Sequence, residues 1–147
     1  MQAFAFAAVL EHTPNAAPAA RCTVRSCLRA WRLDENELAD DACLVATELV
    51  ANAVQHGAPL PSRRAAPGGA GLLVLVLSVE AERLVIAVED GAPQCLPVER
   101  RPGDEDEHGR GLALVAALAA ERGVEQPSGR RVKRVWAALP LAPSITS

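Results

Sequence analysis

The chain of 147 residues contains no tyrosine, one methionine, two tryptophans and two phenylalanines. So few rings leave little on which successive nucleic-acid bases could stack. A basic excess is also missing, since 15 Lys and Arg stand against 18 Asp and Glu, giving a net charge of −3 and a pI near 5.6. Arginines cluster at Arg63, Arg64, Arg100, Arg101, Arg130, Arg131 and Arg134, but acids interrupt them. No overall positive field draws the protein to phosphate backbones or anionic lipid, which argues against nucleic acid as a direct partner. Apolar stretches such as Leu72 to Val79 are far short of the ~20 residues needed to cross a bilayer, so no membrane span is expected. No Lys or Arg precedes Arg21 to form the positive region of an export signal, and the expected location is the cytoplasm. The four cysteines, Cys22, Cys27, Cys43 and Cys95, show no CxxC spacing and no clustered histidines. They signal neither a zinc site nor a redox motif and read as reduced, packing thiols.

What is present is the composition of a compact globular protein: half the residues are hydrophobic and 22% are charged. The length fits one domain spanning residues 1–147. Residues 2–10 alternate weakly, with both phenylalanines on one face, and predict an opening strand. From about Pro18, the apolar positions Ala20, Val24, Cys27, Leu28 and Trp31 recur at helical spacing. After Leu33, Asp34 can cap a second helix, whose stripe Leu38, Ala42, Val45, Leu49 and Ala53 continues until Gly57 and Pro59 end it. Residues 58–71, rich in Pro, Gly and Arg, read as a flexible connection. Two strands, Leu72 to Val79 and Leu84 to Glu89, follow as an antiparallel hairpin around Glu80-Ala81-Glu82-Arg83. A charged loop, a third helix from near Gly111 to Gly123, a strand from Arg130 to Leu139 and a loose tail at 141–147 complete the chain. The order predicts an α+β two-layer sandwich, with a mixed, mostly antiparallel sheet covered on one face by helices.

Three places carry chemistry. Glu48, Asn52 and His56 lie four residues apart on the second helix and so share one face, bordering its apolar stripe. A carboxylate and an amide in that position either hydrogen-bond to neighbouring loops or form a Mg²⁺-phosphate site, with Asn52 completing an octahedral shell and Glu48 in reach as a base. Asp90 extends the alternation Leu84, Ile86, Val88 into the interior, where it must meet a donor, either a backbone amide or an adenine amino group. Gly91 next to it allows close backbone approach or positive φ. Gly109-Arg110-Gly111-Leu112 opens the third helix, and its exposed backbone N–H groups suit either a plain flexible helix start or a bound phosphate.

In this order along the chain, these segments resemble a known family. Glu48-Leu49-Val50-Ala51-Asn52-Ala53-Val54-Gln55-His56-Gly57 is similar to the N box of the ATPases shared by gyrase, histidine kinases and MutL. Val88-Glu89-Asp90-Gly91-Ala92-Pro93 resembles the G1 box, His108-Gly109-Arg110-Gly111-Leu112-Ala113-Leu114-Val115 the G2 box, and Val135-Trp136-Ala137-Ala138-Leu139-Pro140 the closing strand. Spacing and size are similar to the small bacterial anti-sigma factors that act as serine-protein kinases.

The resemblance implies a Bergerat-type fold that binds ATP and Mg²⁺, with residues 93–109 as an ATP lid. It implies Asn52 as the Mg²⁺ ligand, Glu48 as general base and Asp90 as the adenine-binding acid. His56, Ala92, Gly109, Arg110, Gly111 and Leu112 would complete the nucleotide site. The implied partners are a sigma factor and a STAS-type anti-sigma antagonist phosphorylated on serine, and the implied assembly is a homodimer. The alternative function is a non-catalytic module of the same fold that holds a partner with or without nucleotide. Two positions depart from the family pattern: Ala92 replaces the usual Gly or Ser, and Arg134 replaces the threonine often found two residues before the tryptophan, next to adenine.

Overall fold

A computed structural model describes residues 4–35, 37–60, 71–91, 115–126 and 132–141. The expected lid, the G2 box apart from Val115, most of the 58–71 connection and all but the first residue of the tail lie outside these residues. The first strand, β1 (Ala5–Glu11), is followed by two helices, α1 (Ala16–Ala30) and α2 (Leu38–His56). The hairpin β2 (Leu72–Glu80) and β3 (Arg83–Asp90) comes next, then β4 (Glu121–Glu125) and β5 (Lys133–Pro140). The five strands form one sheet in the order β1-β2-β3-β5-β4. Every described pairing is antiparallel. This is the expected α+β arrangement with helices layered on a sheet.

Alternation decides which side chains meet the helices. Leu73, Leu75 and Leu77 of β2 and Leu84, Ile86 and Val88 of β3 are buried, and so are Ala137 and Leu139 of β5. They join Ala20, Val24 and Leu28 of α1 and Ala42, Val45, Leu49, Val50 and Ala53 of α2 in one core. Phe4 stacks on Trp31, with centroids 5.4 Å apart and planes 19° apart, and so links the start of β1 to the end of α1. Phe6, expected on the same face, remains 48% exposed. Cys27 and Cys43 are buried free thiols, and burial raises the pKa of each.

Three boundaries differ from the sequence reading. Helix α1 starts at Ala16 and so places Pro18 in its first turn, where a missing N–H costs nothing. Asp34 does not cap α2, which begins at Leu38 behind Glu37 and has no side-chain cap. The chain at Leu33 is still closing α1: Leu33 N–H donates to Leu28 O at 2.7 Å and Arg32 N–H to Arg29 O at 3.1 Å, with Arg32 at φ 59°. Those two bonds form a Schellman motif and displace the next helix along the chain. The third helix does not reach Gly123. Residues 115–118 are helical, and Glu121–Glu125 is an edge strand on β5. Gly123 lies under the indole of Trp136, where an added Cβ would come within 2.8 Å of the ring.

The β2–β3 connection turns through Ala81 and Glu82 at φ 49° and 60°. Positive φ at both central residues marks a type I′ turn, which favours Asn-Gly and strains residues with a Cβ. Replacing the pair together, Ala81→Asn with Glu82→Gly, is expected to raise stability by about 1 kcal/mol. Urea unfolding followed by circular dichroism measures this, and an unchanged or lower midpoint would show that the turn carries no such strain.

Candidate functional site

The site begins with the end of α2. Glu48, Asn52 and His56 occupy successive turns of that helix. Glu48 and Asn52 are half-buried and His56 is exposed, although it is engaged in an interaction. Within Asn52, the amide Nδ2 is fully buried and has no hydrogen-bonding partner among the described residues. A buried amide left unpaired costs about 1–3 kcal/mol, and among the described residues only Thr13 Oγ1 shares this condition. The two ends of an amide are interchangeable in placement, so an oxygen ligand for a metal or a donor to a phosphate oxygen suits the same position.

In the last turn of the helix one carbonyl takes two donors. Ala53 O accepts from Gly57 N–H at 3.0 Å and from His12 Nε2, at the far end of β1, at 2.8 Å. Gly57 then adopts an extended backbone, and Ala58 runs beside the end of β3, where Gly91 N–H donates to Ala58 O at 2.7 Å. Leu60 bridges to Leu72 through reciprocal bonds of 2.7 and 3.1 Å. The exit of the helix is therefore tied to the ends of β2 and β3.

Asp90 lies in this junction and is 1% exposed. A Cβ on Gly57 would collide with its Oδ2 and come within 2.6 Å of Ala53 O. A Cβ on Gly91 would meet Pro59 O at 2.7 Å. Both glycines are thus required for close approach, and Gly91 does not adopt positive φ. The donor that the interior acid requires includes Lys133, whose Nζ stands 3.5 Å from Asp90 Oδ2 with its side chain 4% exposed. The two residues are direct partners in the β3–β5 register. Asp90 continues the face of Leu84, Ile86 and Val88, and Lys133 the face of Val135, Ala137 and Leu139, so the sheet brings two charges together at the ends of two apolar rows. Sequence reading missed Lys133: the parity of β5 puts it on the face of Val135 and Ala137, but only the register pairs it with Asp90.

Arg134 has the opposite parity. It faces Glu89 and Glu125 across the ladder, and its Nε lies 3.9 Å from Glu125 Oε2, on the side of the sheet away from the helices. It does not enter the Asp90 junction. Ala92, Gly109, Arg110, Gly111 and Leu112 lie outside the described residues. Among the described residues, no group of three or more His, Cys, Asp or Glu side chains could hold a metal ion. A cation at Asn52 would take most of its ligands from phosphate and water, which is the usual habit of Mg²⁺. The buried amide of Asn52 and the interior acid Asp90 fit a Mg-nucleotide in this respect.

The sequence matches the family model of the histidine kinase-like ATPase domain over residues 10–136. No curated protein matches it. Among solved structures, 11 chains match. One contains the RsbU and RsbW domains of Rv1364c from Mycobacterium tuberculosis; it is similar with a TM-score of 0.63 and 21% identity over 94% of this chain. This chain spans 32% of that one, and at such identity the likeness speaks to the fold. No helix among the described residues is long and apolar enough to cross a membrane. With the family match running from β1 into β5 and enclosing Glu48, Asn52 and Asp90, the protein belongs to the histidine kinase-like ATPase domain family.

Proposed function

We propose that the protein is a cytoplasmic, ATP-binding anti-sigma factor that phosphorylates a serine of a STAS-type antagonist and regulates transcription by holding a sigma factor. The observation that carries the nucleotide reading is the interior carboxylate of Asp90, fixed against the end of the helix that bears Glu48, Asn52 and His56. Membership of the ATPase family supports it, and so does similarity to a structure that contains an RsbW domain.

In this reading Asp90 accepts a hydrogen bond from the adenine amine, and Gly91 and Gly57 keep that end of the site free of side chains. Asn52 holds Mg²⁺, for which its buried amide, without a hydrogen-bonding partner among the described residues, is suited. His56, Ala92, Gly109, Arg110, Gly111 and Leu112 line the nucleotide, with the glycines turning backbone N–H groups to the phosphates. Residues 93–109 serve as the lid. Mg-ATP, when bound, supplies the phosphoryl group and neutralises the charge that develops during its transfer. Glu48, half-buried one turn before Asn52, accepts the proton of the attacking serine hydroxyl. A homodimer suits the outer side of the sheet, where Val9 is 62% exposed beside half-buried Val74.

Calorimetry with ATP and magnesium tests the reading. Asp90→Asn is expected to remove most of the binding in protein verified as folded by circular dichroism, and an undiminished affinity would show that the adenine contact is misassigned. Glu48→Ala should bind Mg-ATP as the parent does and lose phosphoryl transfer to a serine-bearing antagonist. Absence of transfer by the parent protein would instead assign a module that only holds partners. Asn52→Ala is expected to weaken Mg-ATP binding while leaving stability in the absence of nucleotide unchanged, or raising it by up to about 1 kcal/mol. A marked drop in unfolding midpoint would mean that the amide is already satisfied in the fold.

A further inference from the structure

Lys133 is the only lysine in the chain, and every other basic side chain apart from the histidines is an arginine. Its ammonium is nearly as buried as the carboxylate 3.5 Å away. A buried ion pair is a poor device for stability alone, because well-packed apolar residues in its place are often as stabilising or more so. Apolar residues at these two positions would merely continue the rows that run through Val88 and Val135. The pair interrupts both rows at the point where β3 and β5 reach the exit of α2.

The two groups have opposite hydrogen-bonding character. A carboxylate only accepts, through two oxygens with about four lone-pair sites, while an ammonium only donates, through three N–H groups. Side by side they present an acceptor next to a donor. The Watson–Crick edge of adenine offers the complement, a donating amine at N6 beside an accepting ring nitrogen at N1, and proteins read unpaired bases along that edge. A compact ammonium with three donors can hold its carboxylate and still reach a second acceptor.

The geometry points to Lys133 as the second half of the base-recognition site: while Asp90 accepts from the adenine amine, Lys133 donates to N1. This rests on the adenine-binding role proposed above for Asp90 and adds a specificity-determining residue to it. Arg134 cannot take the part, because it lies on the opposite face of the sheet beside Glu89 and Glu125. An ammonium donating to a ring nitrogen in a dry site makes a charge-assisted bond, and a site built this way rejects an analogue that lacks the acceptor.

The test compares ATP with 1-deazaadenosine triphosphate, which keeps the amine but carries C–H in place of N1. Calorimetry on the full chain is expected to show ATP binding about ten- to a hundredfold more tightly than the analogue. The Lys133→Met variant is expected to bind the two ligands alike. If that variant fails to fold because Asp90 is left without its cation, the two-ligand comparison on the parent protein still decides. Equal affinity of the parent for both ligands would overturn the role of Lys133 and leave the Asp90 reading standing. Tighter ATP binding by Lys133→Met would also overturn it, by making the lysine a competitor with the base for Asp90. Failure of the parent to bind ATP at all would remove the nucleotide reading itself, and the lysine's role with it.

Discussion

A carboxylate enclosed at the end of an apolar strand is the constraint around which this molecule is arranged. Asp90 sits on β3, in the middle of the sheet, on the face that packs against the helices. Left alone there, its charge would be prohibitively costly. The surroundings meet that cost from three directions. The neighbouring strand supplies a cation, the helix end supplies a glycine with no side chain to displace the oxygen, and the following backbone is tied to Ala58. None of these features makes sense separately. Gly57 is required because Asp90 presses on it, and Lys133 is tolerable in the interior because Asp90 is there.

Most of the interior follows ordinary rules, with leucine, valine and alanine at core parity on strands and at helical spacing on α1 and α2. Several exceptions gather at one end of α2: an amide nitrogen without a hydrogen-bonding partner among the described residues, a buried ion pair, and Gly57 and Gly91, neither of which admits a Cβ. Agreement between local preference and global fold is the general condition for folding, and departures from it gather where function demands them. A fold selected for stability alone would replace Asn52 with a better helix former and the ion pair with aliphatic residues. That these costs coincide in one place is a stronger pointer to a working site than any one of them.

The sequence was legible where a side chain's period matched its burial. The α2 stripe and the β2–β3 hairpin show strong periodicity because one face of each meets the core, and the end of α2 and both hairpin strands formed within a residue or two of expectation. Asp90 was readable as an interior acid for the same reason. The fourth strand was not readable. Its residues, Glu121–Glu125, are mostly exposed, so they alternate with nothing, and their pairing with β5 depends on backbone bonds that leave no trace in residue type. The start of α2 was misplaced because the signal at Asp34 was local, whereas the closing bonds of α1 reach across Leu28 to Leu33. Of the site, the helix row and the acid could be named from spacing, but the cation opposite the acid required a register that only the folded sheet supplies.

That register also resolves the departure at the last strand. A strand turns alternate side chains to opposite faces, so a shift of one position exchanges the interior for the outside. The resemblance implies a threonine beside adenine at the place where this chain carries Arg134, and by size and charge alone a guanidinium would not suit that place. On β5, however, Arg134 shares the face of Trp136 and looks outward to acids on both neighbouring strands. The altered chemistry belongs to the residue before it, whose ammonium reaches Asp90 from the helix side. The last strand therefore places an ammonium, and not the guanidinium, beside the interior acid, which is the arrangement on which the proposed base recognition rests.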